Sequence, residues 1–505
     1  MARYRHVDLS PRLLPVDLDA QLVPGSFAHA VHHLVDALDL SAFDAHYRND
    51  SSGAPAHSPS MLLKAVLLGY SQGLISSRAI ERACRDNVLF IALTGDAKPH
   101  FTTIADFVSR SRDPVAAVFG QVMAVLDGEG LIGRGMFAID GVKLPANASK
   151  HRSGTRAEFA ERAHKLERKA RQMLERHRLN DGAGIDAPYT AAAVAARVQR
   201  MQRQVAELRD WIAAHPNDRQ GPRGGVRKSN RTDNESAKMA TDKGVIQGYC
   251  GVAAVDAKAQ VIVEAAAFGT GSEQEVLLPV VDACKPLLNA DTEITADAGY
   301  HSEDNLRGLA ERGVTALIAD NGMRQRDARF ADQARHRDKP DPLHDKSTRK
   351  RRSGLFDADD FRIAADHSHA TCPAGQRLYR NGKDCTIGGY RATKFRAPAS
   401  ACTACSLRAK CLRKPDTTTV RQVAMVTRID AASHTQMMRE RIDSPGGRER
   451  YGRRFACVEP VFANLRHNKR LTRFTLRGQR KVDGQWKLFA LVHNIEKLAN
   501  HRKAA

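Results

Sequence analysis

The sequence predicts an α/β protein. A mixed-sheet core follows an all-α segment and is interrupted twice, by an inserted helical hairpin and by a cysteine-containing insertion. Three observations carry this. Apolar residues recur at helical spacing within residues 1–125. From residue 135 the period changes to short apolar runs closed by glycine and aspartate, a strand pattern. Two long amphipathic segments separate the first such run from the second.

The elements follow in chain order. SPSMLLKAVLLGYSQGLISSRAIERACRDNVLFIALTG opens as a helix, breaks at Gly69–Gly73 and resumes after Ser76 and Ser77, which suit a helix cap. Arg78, Arg82 and Arg85 lie on the second helix, so the pair is either a DNA-binding helix-turn-helix or an ordinary core pair. In GMFAIDGVKLPANASK, Met136 to Ile139 is a short strand, Asp140 follows it, and Gly141 allows a turn. Residues 151–230 hold the hairpin, with helices near 154–178 and 190–213 separated by LNDGAGIDAPY. Its 17 Lys and Arg against 9 Asp and Glu make a basic face, compatible with a solvated coiled-coil arm. VIQGYCGVAAVDAKAQVIVEAAAFG gives two strands about a turn at Asp256–Ala259, and EQEVLLPVVDACKPLL a helix. EITADAGYHS is a strand carrying Asp297, followed by a helix from Glu303 to Arg312 and the strand VTALIAD.

Without the hairpin the order is strand, strand, strand, helix, strand, helix, strand. That is the ribonuclease-H-like arrangement, in which the first strand and the strand after the first helix are neighbours. The core then spans residues 130–330 and 440–505, with the cysteine-containing insertion at 331–439. Asp140 and Asp297, 157 residues apart, fall side by side. Alone, Asp297 suits a solvated turn. Beside Asp140 it suits a shared metal site.

Charge narrows the partners. With 79 Lys and Arg against 57 Asp and Glu, the chain carries a net charge of +22 and a pI near 9.8, which points to a polyanion, above all nucleic acid. No apolar run reaches the roughly 18–20 residues that span a bilayer, and MARYRHVDLSPRLLPVDLDA lacks the apolar region of a signal peptide. The chain therefore reads as cytoplasmic and nucleoid-associated, with cysteines kept as thiols or metal ligands.

Two carboxylates hold a magnesium ion poorly without a further oxygen ligand. In RERYGRRFACVEPVFANLRHNKRLTRFTLRG, Glu459 stands in a segment (439–477) with 11 basic residues and 4 acids. It reads either as a surface acid paired with arginines or as the third ligand. Pro460 disfavours helix at Glu459 and predicts a kink there.

AIDGVKLPANAS, SNRTDNESAKMATDKGVIQGYCGVAAVD, ITADAGYHS and YGRRFACVEPVFANLRHNKR together resemble the DDE transposases of bacterial insertion sequences. The resemblance implies an acidic triad on Asp140, Asp297 and Glu459, two Mg2+ ions, cleavage at the element's ends and strand transfer into target DNA. It implies double-stranded DNA as partner and a homodimer or higher assembly on it. Tyr451, Arg454 and Arg466 resemble the family's residues around the last acid, placed to grip phosphate. The gap from Arg454 to Glu459 is four residues, and arginine rather than lysine stands at 466. A catalytically inactive DNA-binding derivative and a structure-specific nuclease on the same core are the alternative functions.

Cys372, Cys402, Cys405 and Cys411 complete the inventory, with a CxxC pair at 402–405. They read either as one closed structural zinc site or as reduced thiols, with Cys385 as a spare candidate. Cys84, Cys250, Cys284 and Cys457 lie in apolar patterns, as core residues do.

Overall fold

The computed structural model describes residues 17–47, 55–182, 191–221, 224–241, 244–328, 355–356, 360–382, 385–387, 390–428 and 434–504. The stretch read against a leader (1–16), most of the linker LNDGAGIDAPY (183–189) and most of the start of the insertion (331–354) lie outside them. The chain is mixed α/β and divides into two compact units, Met1–Tyr300 with Gly313–Ala316 and Gly452–Ala505, and His301–Arg312 with Leu317–Tyr451.

In the first unit, helices Phe27–Asp36, Pro59–Ser71, Ser77–Asp86, Val88–Thr94, Phe101–Arg110 and Arg112–Gly128 come first. Ser76 caps its helix as its residue type favours, its hydroxyl accepting from the Ala79 N–H at 3.2 Å. Arg82 and Arg85 are exposed on that helix, and Arg78 lies over the Phe101 ring at 4.5 Å.

The sheet comprises β1 (Met136–Pro145), β2 (Ala237–Thr241), β3 (Gly244–Asp256), β4 (Ile262–Phe268), β5 (Glu293–Ala296) and β6 (Thr315–Ile318). Its order is β6–β5–β1–β3–β2, with β4 also paired to β3. β1 runs antiparallel to β3 and parallel to β5, so the sheet is mixed. One expectation is corrected here. The chain does not turn at Gly141; β1 continues to Pro145. A Cβ at Gly141 would lie 3.0 Å from both the Cys250 sulfur and the Tyr300 hydroxyl, so glycine serves close approach inside a strand.

The helix Gln479–Ala504 binds these layers together. Trp486 and Leu488 to Val492 are all fully buried, and Lys487 among them is buried as an ion pair with Glu264 at 2.8 Å. Each of the large apolar side chains contributes about 1.5–3 kcal/mol on burial. Phe489 stacks on Tyr70 at 4.3 Å between ring centroids. The Trp486 indole N–H donates to the Val252 carbonyl at 2.8 Å, and Asn494 pairs with both backbone groups of Ile262.

The hairpin between β1 and β2 is built from helices Arg156–Gly182 and Ala191–Ala214. Phe159 and Ala163 pack with Val205 and Leu208, and Ala170 with Val194, Val198 and Met201, an antiparallel register.

The second unit holds a separate sheet of Arg362–Ile363, His369–Thr371, Arg377–Arg380, Tyr390–Arg396 and Cys385–Ile387 in that order, with Gln422–Arg428 also paired to Tyr390–Arg396. Its core is small: Phe361, Ala370, Leu378, Phe395, Ala397 and Val423. Helix His434–Asp443 of this unit is capped at its N-terminus by the Glu303 carboxylate, which accepts from the His434 and Thr435 N–H groups at 3.0 Å. Among the described residues no helix is long and apolar enough to cross a membrane.

Candidate active site

The parallel register pairs Ile139 with Ala296, so Asp140 and Asp297 follow at the same level at the ends of the β1–β5 pairing. Each uses one oxygen locally. Asp140 Oδ1 accepts from the Gly141 N–H at 2.8 Å, and Asp297 Oδ1 from the Gly299 N–H at 2.9 Å. The turn role expected of Asp297 is thus real, and it leaves the second oxygen of that carboxylate uncommitted to the turn.

Asp140 Oδ2 meets Arg454 Nη2 at 2.8 Å. Arg454 comes from helix Pro445–Ala463 and is 2% exposed. The contact is an ion pair rather than an aligned hydrogen bond, since Nε and Nη2 of Arg454 are buried without a hydrogen-bond partner among the described residues. Burial pushes the Asp140 carboxyl up to about 6; Arg454 and the Gly141 N–H oppose this, and the charges of Asp297 and Glu273 add to it.

Glu273 is the residue that sequence reasoning missed. It lies in the short turn after β4 and pairs with Lys143 of β1 at 2.9 Å. A Cβ on Gly299 would overlap the Glu273 carboxylate and stand 3.0 Å from Asp297 Oδ1, so the missing side chain at 299 is what lets the two acids approach. Burial disfavours the charge on Lys143, yet Glu273 outweighs it and holds the ammonium above its usual value. In the sequence Glu273 reads as an ordinary acid at a helix start, where the helix dipole favours one. It follows β4, which pairs with β3 rather than with β1, so nothing in the local sequence marks it as a neighbour of Asp140.

Glu459 is exposed, on the side of its helix away from the buried Arg454, Cys457, Val458 and Val461. The structure does not bring it to Asp140 and Asp297. Arg466 is exposed in the π-helical turn Asn464–Asn468, and Tyr451 is buried in the second unit. Pro460 does not end the helix, which runs through it to Ala463. Pro460 cannot donate to the Ala456 carbonyl four residues back. The Gln260 side-chain amide donates to that carbonyl instead, at 2.9 Å.

Asp140, Asp297 and Glu273 are oxygen donors of the kind a hard divalent cation takes. As they stand, Arg454 and Lys143 neutralise two of them, and among the described residues no three His, Cys, Asp or Glu converge closely enough to hold a metal.

Residues 16–110 match a transposase domain (DUF772), and residues 371–499 match a transposase DDE domain. The second match covers Arg454, Glu459, Arg466 and the four clustered cysteines; Asp140 and Asp297 lie outside both. No curated protein and no solved structure matches the chain. Two transposase domains on one chain, the second of DDE type, support a DDE transposase of the insertion-sequence type.

Proposed function

We propose that this transposase binds its element's ends as double-stranded DNA and catalyses metal-dependent cleavage and strand transfer at the Asp140–Asp297 pair. The observation that carries the reading is the adjacency of the two acids at the level where β1 and β5 stop pairing. The strand order β4–β3–β1–β5–β6 supports a ribonuclease-H-like core. Magnesium, when bound, would supply the positive charge that activates a nucleophile and offsets the crowded phosphate. Asp140 and Asp297 would hold it, with Glu273 the nearest further carboxylate; Glu459 would need its helix to reorient.

The chain's own residues do the rest. Arg454, enclosed beside Asp140, keeps that carboxylate oriented, and Lys143, which is partly exposed, attracts phosphate oxygens. Backbone contacts along the duplex have a ready surface. Arg152, Arg162, Arg200, Arg203 and Arg231 line a cavity of about 620 Å3 with one acid, Glu207, among them. Arg152 also lines a second cavity of about 430 Å3 with Arg473 and Arg477. Such a tract makes affinity fall steeply with salt. Pairing two element ends requires a homodimer or larger assembly on DNA, acting at the nucleoid. The four clustered cysteines contribute no step, and zinc there would be structural.

The test uses DNA carrying the flanks of the protein's own gene, with Mg2+ or Mn2+. The wild type is expected to cut and join it. Asp297→Asn is expected to bind the DNA at fixed salt and to leave it uncut, because the substitution keeps size and hydrogen bonding but removes charge. A soluble Asp297→Asn protein that cuts at a near wild-type rate would overturn the reading.

A further inference from the structure

The structure gathers into one place four cysteines that the sequence scatters between positions 372 and 411. Cys372, Cys402, Cys405 and Cys411 line a single cavity of about 30 Å3, closed by Leu378 and Leu412. That is room for a single ion or a water or two, and for no organic ligand. Each thiol is carried on a tight turn. The Cys372 carbonyl accepts from the Gly375 N–H at 2.8 Å, in a turn that needs the positive φ of +74° at Gly375. Cys402 sits in the helical turn Ala399–Thr403 and Cys411 ends the turn Arg408–Cys411, with Cys405 between them.

Two arginines fix this backbone. Arg408 donates to the Cys402 carbonyl at 2.9 Å and to the Pro415 and Thr418 carbonyls at 2.7 Å. Arg421 donates to the Cys411 carbonyl at 3.2 Å and the Phe356 carbonyl at 3.1 Å. Neither arginine has a carboxylate partner among the described residues. Four thiolates around a divalent cation carry two surplus negative charges, and two guanidinium groups stand beside them to balance these.

The surrounding fold needs such a centre. The sheet between Arg362 and Arg428 has six buried residues at its core, three of them alanine or valine. A core that small rarely holds a domain of under about 70–80 residues without a disulfide or a metal. No disulfide is present among the described residues, and Cys372, Cys402 and Cys411 pack directly against this core.

We propose that Cys372, Cys402, Cys405 and Cys411 form a closed four-thiolate site for one structural zinc ion that staples the small sheet of the second unit. The thiols stand open around the cavity and do not yet converge on one point. Loading therefore draws the turns inward to sulfur–metal distances of about 2.3 Å and releases the thiol protons to solvent. All four positions of a tetrahedral ion are then taken by protein, which leaves no open position for catalysis.

The experiment is metal analysis of the full chain, produced in zinc-supplemented medium and purified under reducing conditions without chelator. One zinc per chain is expected, unchanged in Cys385→Ser and lost in Cys402→Ser and Cys411→Ser. Those two variants can fail to fold, so a second measurement uses wild-type protein alone: exchange with Co2+ should give the intense thiolate-to-cobalt absorption and the visible bands of a tetrahedral tetrathiolate site. A wild-type chain that carries no zinc and develops no such spectrum overturns the proposal. So does zinc retained at one per chain when all four cysteines are replaced by serine. No DNA cleavage enters either readout, so failure of the transposition reading leaves this result unaffected.

Discussion

Arg454 Nη2 lies 2.8 Å from Asp140 Oδ2, and the arginine that reaches it is almost wholly enclosed. A buried charge stripped of its partner is far costlier than a pair removed together. Arg454→Met is therefore expected to lower stability by about 3 kcal/mol in urea unfolding at pH 7.5. Adding Asp140→Asn to that variant should recover part of the loss, because the carboxylate left alone is then gone. Equal unfolding midpoints for wild type and Arg454→Met would contradict the pairing.

Asp140 also predicts a pH dependence. Its carboxyl is pushed up to about 6 from an ordinary 3.8, so the folded chain binds this proton more tightly than the unfolded one. Stability from this group is therefore present at low pH and declines as pH rises through about 4 to 6 and just beyond. Asp140→Asn mimics the protonated form but leaves Arg454 without its counter-charge, so the prediction concerns the change in the gap: relative to wild type the variant should gain on the order of 2 kcal/mol between pH 4 and pH 7.5. Thermal unfolding of both proteins across that range measures the gap. A gap that does not vary with pH would sink the assignment.

Gly299→Ala places a methyl group where the Glu273 carboxylate lies. Because the obstructed atom ends a flexible side chain, Glu273 can swing aside, and the fold should lose only about 1 kcal/mol. Cleavage should suffer more, at least tenfold, as the carboxylate leaves Asp297 and Lys143. With that negative charge withdrawn, the Asp140 midpoint in the stability profile should move down. A Gly299→Ala variant that cuts DNA normally would show that Glu273 takes no part in the site.

Gln260 and Pro460 form a testable couple. Gln260→Ala leaves the Ala456 carbonyl without its side-chain donor and should cost about 1–2 kcal/mol. Pro460→Ala restores a backbone N–H to the same carbonyl, so the double variant should regain most of that loss. A double-mutant cycle by chemical denaturation measures the coupling. Strictly additive effects would mean that the amide does not stand in for the missing N–H.

What the sequence revealed and what it hid divide along one physical line. Periodicity exposed the strands, so the neighbouring placement of Asp140 and Asp297 was legible from element order alone, as was the hairpin at 156–214. Features decided by close tertiary contact were not. Gly141 looks like a turn residue because glycine permits turns, but here it makes space for Cys250 and Tyr300. Pro460 looks like a helix breaker because its defect is local, whereas the repair comes from Gln260, far earlier in the chain. Glu273 has no distinguishing local pattern, and only the fold shows that Lys143 and Gly299 meet it. Glu459 stands out in the sequence as an acid among basic residues and by family resemblance, and neither sets the rotation of its helix about its own axis.

The helix Gln479–Ala504 stacks on Tyr70, holds both backbone groups of Ile262 and inserts Trp486 beneath β3. During synthesis, every element it joins emerges from the ribosome before it does. Until then the nascent chain exposes the apolar faces of helix Pro59–Ser71 and of β3 and β4, the surfaces that chaperones and proteases recognise. A transcript broken upstream of residue 479 would then yield a product that is degraded, rather than a shortened DNA-binding protein that competes with the intact one. Production of working protein is thereby tied to complete reading of the gene through this helix.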